Sequence, residues 1–366
     1  MKSKNKIVFI IADATCVGGI ERVNVLLSNE FVKNYDVEII SLYKTNDSIN
    51  YRLTPEVKLT FINKISYSGR PGSTYRLLNY LKVINDLNKY LMSFKDCFFI
   101  VNTFPLAVLS LISKIRTNNV YIVVEHVHAN YYNFIFRQIR KVIYKFYDAI
   151  VALTDDDYKY YNKNHSNVFK INNPLSFNFV EKSKLNCLGI IAVGRLEQQK
   201  GFDLLIKAFE HIDPALRKGW VVDIYGAGGE RDALMDMIAN CHLENKVHLC
   251  GAVNNISEIY NKYSIFVFPS RFEGFGMVLV EAMASGLPCI SFDCPTGPRE
   301  ILGNGEYGML IENGNICEFS KALSSMMSDE VLREDYARKS VQRSKDFRIS
   351  KIVNEWEILF MEVGSK

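Results

Sequence analysis

Residues 188–202 read Leu188-Gly189-Ile190-Ile191-Ala192-Val193-Gly194-Arg195-Leu196-Glu197-Gln198-Gln199-Lys200-Gly201-Phe202. An apolar run stops at Gly194, Arg195 follows at once, and Lys200 stands five residues later, at the entry to a segment of helical period. A short apolar strand that ends in glycine and feeds a helix is the repeating unit of a parallel α/β sheet. In such sheets the loops at the carboxyl ends of the strands line the ligand crevice, so Arg195 and Lys200 fall where a ligand would sit. Two readings are open for them: a solvated basic loop, or two cations that converge on a diphosphate, Arg195 as a bidentate fork and Lys200 as a point charge.

The same grammar runs in both directions. Upstream, strand-like runs occur at 7–12, 37–42, 58–62, 98–102, 120–125, 149–153 and 168–171; downstream they recur at 220–225, 247–249, 265–268, 289–292 and 309–311. Helical segments alternate with them. Leu77, Leu78, Leu81, Ile84, Leu87 and Leu91 recur at helical spacing and predict an amphipathic helix that covers a sheet. The alternation stalls in a polar stretch at 173–186, which reads as a linker, so the chain divides into two similar doubly wound units. A length of 366 residues agrees with two domains. A last helix over about 350–363 carries Ile352, Trp356, Leu359 and Phe360 on one face and is apolar enough to pack back on the first unit.

Composition narrows the function. With 48% hydrophobic and 23% charged residues the chain buries a large core, which excludes disorder. The net charge of +4 hides an asymmetry: residues 1–180 hold 23 Lys and Arg against 14 Asp and Glu, and the remainder hold 21 against 26. The first half therefore suits an anionic partner such as a phosphate or a membrane surface, but its excess is too modest for a nucleic-acid binder. Eight cysteines without C-x-x-C or zinc-type histidine spacing fit reduced thiols in a cytosolic protein. The lysine-rich start before Cys16 resembles a lipoprotein signal, but its short apolar run is broken by Asp13 and reads as the first strand. No stretch approaches the ~18 apolar residues of a membrane span, so any membrane contact is expected to be peripheral.

The most informative loop is Pro269-Ser270-Arg271-Phe272-Glu273-Gly274-Phe275-Gly276-Met277-Val278-Leu279-Val280-Glu281-Ala282-Met283. Glu273 falls in the loop after a strand, and Glu281 falls in the second turn of the helix that starts near Gly276. An acid on an apolar helix face is costly without a hydrogen-bonding partner, and a ribose diol is one such partner. The amides at the helix start suit a phosphate or sugar hydroxyls. Capping alone would call for one acid. Gly18 and Gly19, after the strand that ends at Asp13, read either as a tight turn or as a phosphate-accepting helix start. Two look-alikes are set aside. Gly303 to Gly308 spells G-x-G-x-x-G, but a strand follows it and none directly precedes it, the wrong order for a dinucleotide site. Asp155-Asp156-Asp157 contains D-x-D, yet Thr154 as N-cap and the helix dipole explain acids there. No metal is expected.

On the Gly-Arg-Leu-x3-Lys-Gly stretch at 194–201 and the Glu-x7-Glu element at 273–281, the chain resembles the family 4 retaining glycosyltransferases of the GT-B fold, from the Gly18-Gly19 loop to the final helix. The resemblance implies an α/β architecture of two doubly wound Rossmann-like domains facing across a cleft. Residues 1–176, joined by the C-terminal helix 350–366, would bind acceptor, and residues 177–349 would bind the nucleotide sugar. It implies that Arg195 and Lys200 hold the donor diphosphate, that Glu273 contacts the transferred sugar, and that Glu281 contacts the ribose. Gly18, Gly19, Val253, Phe275, Gly276, Met277 and Val278 complete the implied donor site. His126 resembles the family histidine that ends an N-domain strand and faces the donor sugar; a purely structural histidine is the alternative. Residues 248–253 resemble the loop bordering the base, with Gly226-Ala227-Gly228 as a neighbouring wall, which implies UDP. Residues 292–300 resemble the donor-side loop of transferases that use UDP-linked galactose or N-acetylgalactosamine. No cofactor is implied, the UDP-sugar being a substrate.

In the first half, Arg137, Lys141 and Lys145 recur every four residues with Arg140 beside them, among the aromatics of 131–146. One helix face is thus expected to be cationic, which suits an anionic bilayer, unless it is only a solvated basic edge. It also resembles the helix with which relatives that build lipid-linked oligosaccharides hold the acceptor diphosphate. The expected activity is retaining transfer of a hexose or N-acetylhexosamine from UDP to a hydroxyl of a glycan acceptor. That acceptor would be undecaprenyl-diphosphate-linked and serve cell-surface polysaccharide assembly, such as O-antigen or lipopolysaccharide. The enzyme is expected in the cytoplasm, peripherally on the inner face of the cell membrane. Rival readings are a UDP-sugar 2-epimerase, which would convert donor without acceptor, and a glycan-binding module without turnover, against which the full set of acids and cations argues. A nicotinamide dehydrogenase fails on the context of its fingerprint.

Overall fold

The computed structural model describes residues 6–67, 74–177, 181–253 and 255–364, and for 74–77 the backbone alone. It forms two compact units, Met1–Ser176 with Ile349–Lys366, and Phe177–Arg348. Of the polar linker stretch, residues 178–180 lie outside the described residues.

The first unit runs β1 (Lys6–Asp13), α1 (Gly19–Phe31), β2 (Asp36–Tyr43), β3 (Lys58–Phe61), α2 (Thr74–Leu91), β4 (Cys97–Asn102), α3 (Phe104–Arg116), β5 (Val120–Val124), α4 (Phe134–Tyr144), β6 (Ala149–Ala152), α5 (Asp155–Asn162) and β7 (Val168–Lys170). Its strands are parallel in the order β3-β2-β1-β4-β5-β6-β7. The second unit runs β8 (Gly189–Val193), α6 (Phe202–Glu210), β9 (Val221–Tyr225), α7 (Arg231–Asn240), β10 (Val247–Gly251), β11 (Ile265–Phe268), α8 (Met277–Ala284), β12 (Cys289–Asp293), α9 (Pro298–Ile301), β13 (Met309–Glu312), α10 (Ile316–Ser328) and α11 (Glu330–Ser344). Its parallel order is β10-β9-β8-β11-β12-β13. Each run predicted as a strand is one. The central strands are apolar on both faces because helices cover both, and Ile7 to Ile11 are fully buried. Strand order reverses between β1 and β4, and again between β8 and β11. These are the topological switch points at which doubly wound sheets open a crevice.

The last helix, α12 (Ile349–Gly364), belongs to the first unit. Its Phe360 ring lies 4.6 Å from Phe98 and 5.6 Å from Phe31, and Ile352, Trp356 and Leu359 are buried with it. The leucine stripe expected of α2 needs correction. Val83, Leu87 and Leu91, four residues apart, form the inward face, whereas Leu78 and Leu81 are more than half exposed. Asn88 is drawn into the same face, donating to Leu109 O and accepting from Ser113 N, both on α3. The side chain of Leu77 lies outside the described residues. Among the described residues no helix is long and apolar enough to cross a membrane.

Candidate active site

In the second unit the loops after β8 and β11 meet at the switch point. Lys200 Nζ lies 2.6 Å from Glu273 Oε1, and the side chains are 15% and 8% exposed. The lysine stem crosses Gly194, and its ammonium sits over the Phe268 ring at 5.6 Å. The cation and the acid singled out in separate motifs are therefore bonded to each other. Arg195 instead reaches outward to Glu197 at 2.9 Å, a solvent-exposed pair that little energy holds in place.

Backbone contacts draw these loops close. Gly201 has φ of 66°, and a Cβ there would fall 2.0 Å from Pro269 O. A Cβ on Gly226 would fall 1.8 Å from Gly194 O, where the loop after β9 crosses that after β8. Gly226 N also donates to Gly251 O at 2.8 Å, so segments 226–228 and 248–253 are joined, with Val253 exposed beyond them. Glu273 is pinned by its own backbone: its N–H donates to Pro295 O at 2.7 Å and its carbonyl accepts from Thr296 N at 3.0 Å. The 292–300 loop thus lies against the acid. No group among the described residues accepts from the N–H of Phe275, Gly276, Met277 or Val278 at the start of α8. These orphan donors carry the positive end of the helix dipole. Glu281, one turn on, is fully buried and accepts from Tyr260 Oη at 3.3 Å.

One bond that sequence reading missed holds the two loops together. Arg271 donates to both carboxylate oxygens of Asp203 at 2.7 Å and to Gln198 O at 2.8 Å. This fork holds the Asp203 carboxyl below the ordinary range, against its burial. Arg271 was in the quoted motif, but nothing in its spacing named Asp203 as partner. We expect Arg271→Ala to lower kcat/KM about tenfold by loosening the Lys200–Glu273 approach, at about 1 kcal/mol in stability for a partly exposed fork. Steady-state kinetics beside thermal unfolding measures both.

In the first unit, Asp13 at the end of β1 is buried and accepts from the N–H and hydroxyl of both Thr15 and Thr45. It ties the Gly18-Gly19 loop to the end of β2. Glu21 folds back over that loop, so a Cβ on Gly18 would fall 2.4 Å from its carboxylate. His126 follows the end of β5, is 9% exposed, and its Nε2 lies 2.7 Å from Asn102 Oδ1. Burial pushes its pKa down to about 4, so the ring is neutral. Asp157 accepts from Ala129 N and from the Thr154 hydroxyl, and Asp155 pairs with Lys170 at 2.9 Å, so both acids serve the fold.

The basic helix needs a second correction. Arg140 is not on the cationic face of α4: it is 1% exposed, donates to Ala129 O at 2.5 Å, and lies 3.5 Å from Glu125 Oε2. Tyr144 also bonds Glu125, and the guanidinium packs on the rings of Tyr132 and Tyr161. Its position, 100° round the helix from Lys141, turns it to the sheet. Burial pushes the Glu125 carboxyl up to about 7, with Arg140 opposing. The outward face is largely apolar: Ile135, Ile139, Val142 and Phe146 are 41–66% exposed at spacings of four, three and four, with Lys141 and Lys145 alongside.

The second unit thus offers an anionic ligand a cation and unengaged helix amides together at its switch point. Residues 177–343 match the family described as glycosyl transferases group 1. The chain is 28% identical over 361 residues to an uncharacterized glycosyltransferase of Haemophilus influenzae, covering 96% of this chain and 99% of the relative. It is 29% identical over 366 residues, covering 98% and 99%, to a Campylobacter jejuni α-1,4-N-acetyl-D-galactosaminyltransferase named for the substrate GalNAc-α-(1→4)-GalNAc-α-(1→3)-diNAcBac-PP-undecaprenol. The crystal structure of Anabaena HepE in complex with UDP superposes with a TM-score of 0.76 at 16% identity, covering 99% of this chain and 100% of that one. The second unit thus resembles the group 1 glycosyl transferases, and the chain as a whole is a glycosyltransferase with the GT-B fold.

Proposed function

We propose that the enzyme transfers a hexose or N-acetylhexosamine, with galactose or N-acetylgalactosamine as first candidates, from a UDP-sugar to a hydroxyl of an undecaprenyl-diphosphate-linked glycan, with retention. The observation that carries this is the Lys200–Glu273 pair beside the orphan amides of Phe275 to Val278. An incoming diphosphate offers Lys200 and those amides a second anion, and releases Glu273 towards the sugar hydroxyls. Arg195 exchanges its exposed partner Glu197 for the same diphosphate. Glu281 serves the ribose once the groups covering it yield. Gly18 and Gly19 admit the donor closely when Glu21 swings out. Val253 borders the base, and His126 meets a sugar hydroxyl.

Charge develops on the departing UDP, and groups already aimed at it stabilise the transition state. The sequence offers no convincing nucleophile for a covalent intermediate, and by resemblance to the family 4 transferases the acceptor attacks the face that UDP leaves while the diphosphate takes the proton. The transfer needs no metal in this reading, Lys200, Arg195 and the helix amides supplying the charge. The C. jejuni relative's lipid-diphosphate substrate supports the acceptor class, and UDP in the Anabaena structure supports the donor. The test is mass spectrometry of products from a panel of UDP-sugars, each with and without lipid-diphosphate-linked oligosaccharides. Mass gain on the acceptor with UDP release is expected; epimerised donor without acceptor, or no turnover, would replace this reading with one of its rivals.

We place α4 against the cytoplasmic leaflet, its apolar stripe in the interface and Arg137, Lys141 and Lys145 at the headgroups or the acceptor diphosphate. Lys141→Ala with Lys145→Ala should weaken binding to anionic vesicles about fivefold per lysine, from ~1 kcal/mol each, and the difference should vanish in high salt. Ile139→Asp with Phe146→Asp should weaken it more than tenfold at any salt, because apolar burial is lost. Sedimentation with vesicles measures both, and unchanged binding and acceptor affinity would remove α4 from the membrane.

A further inference from the structure

The hydrogen bonds around His126 determine more than its position. Asn102 Nδ2 donates to Ile10 O at 3.1 Å and to Asn24 Oδ1 at 2.8 Å. Asn24 Nδ2 donates to Ile20 O at 2.7 Å and to Asn102 Oδ1 at 3.0 Å. A backbone carbonyl can only accept, so Ile10 and Ile20 establish which end of each amide is nitrogen. The atom that Asn102 turns to the imidazole is therefore its oxygen, and only an N–H satisfies it.

We propose that Asn102 is a positioning residue that locks His126 in the Nε2–H tautomer, so that Nδ1 is presented as a hydrogen-bond acceptor to a hydroxyl of the sugar substrate. The substrate half of this inference rests on the glycosyl-transfer reading above. Among the described residues no group bonds Nδ1. The cavity that His126 lines is formed by β1, α1, β4, β5, β6, residues 171–174 and α12, and no other titratable side chain lines it. Its polar members are Asn24, Asn102, Asn172 and Asn173, with the Trp356 indole. The nearest acid in sequence, Glu125, is engaged by Arg140 and Tyr144. Nothing there draws a proton onto the ring, and burial opposes one. A ring so held accepts a hydroxyl proton's bond and does not act as an acid. Asn24 extends the lock to α1, whose first residue is Gly19, so the glycine loop and the imidazole are held by one amide pair.

The test uses the full chain labelled with 15N-histidine. Long-range 1H–15N correlation, with His126 assigned by the signal missing from His126→Gln, should show the Nε2–H pattern from about pH 5.5 to about pH 8.5. An Nδ1–H pattern or a charged ring in that range overturns the lock. The second arm is Asn102→Asp. A carboxylate on Nε2–H raises the imidazolium pKa by about 1–3 units, from about 4 into roughly the 5–7 range. Turnover of UDP-sugar should then gain an acid limb absent from the wild type, its rate lost as pH falls through that range because Nδ1 becomes protonated. On the alkaline side kcat should stay about 10-fold below wild type with KM nearly unchanged. A uniform loss of rate with no new limb would mean a merely structural role and overturns the proposal; a variant that does not fold leaves the wild-type spectrum to decide it. Nε2–H in a wild type that turns over no UDP-sugar with any acceptor would leave the lock standing and overturn both the substrate role and the glycosyl-transfer reading.

Discussion

Lys200→Ala is expected to lower kcat/KM by about 10²- to 10³-fold, the usual loss when one group aimed at a developing negative charge is removed. The same change leaves Glu273, 8% exposed, without its 2.6 Å partner. Breaking a nearly buried pair from one side destabilises, here by about 2 kcal/mol after allowance for the exposure that remains at Lys200. Glu273→Gln separates the two effects. It keeps the side-chain shape and a hydrogen-bonding oxygen, so its rate loss should come with a much smaller stability loss. UDP release under steady-state conditions and thermal unfolding of both variants provide the comparison. Lys200→Ala with near wild-type activity would remove the pair from the site altogether.

Arg140→Ala is expected to destabilise the first unit by about 3–5 kcal/mol, because the buried Glu125 carboxyl loses its cation and keeps the hydrogen bond from the Tyr144 hydroxyl. Lys141→Ala and Lys145→Ala, one and five residues on, should each stay within about 0.5 kcal/mol. Urea unfolding distinguishes them, and Arg140→Met with Glu125→Leu should recover much of the loss, since no lone charge remains. Acidity modulates the penalty. The Glu125 pKa is raised by burial to about 7. A raised folded-state value contributes stability that is fully present below the unfolded value and lost as pH rises through the folded one. Without Arg140 that value climbs further, so the variant should be less impaired near pH 5.5 than near pH 8. A penalty that grows on acidification would mean that Glu125 is charged and otherwise paired.

Strands and the order of motifs were legible because parallel strands buried on both faces must be continuously apolar, and because ligand loops follow them. Lys200, Glu273 and the α8 amides could be picked out for the same reason: each stands directly after a strand or before a helix. What pairs with what was hidden. Lys200 with Glu273, Arg271 with Asp203 and His126 with Asn102 are separated by 73, 68 and 24 residues, and no local pattern encodes such partners. The reading of α4 failed at Arg140 for a related reason. Spacing placed it beside the cationic row, but Glu125 at the end of β5 draws it inward. In α2, Leu87 and Leu91 face inward as their spacing implied, but Leu78 and Leu81 do not, and Val83 and Asn88 complete the inner face.

The return of α12 to the first unit bears on how the polypeptide is made. As the chain leaves the ribosome, the sheet of residues 6–170 emerges ahead of the second unit, yet Trp356 and Phe360, which close it around Phe31 and Phe98, are translated only after that unit. The second unit can complete its own fold before the first is sealed. Nascent protein released early by a stop codon before residue 349 would carry an intact second unit and a first unit with its aromatic seam open, a ready substrate for chaperones and proteases.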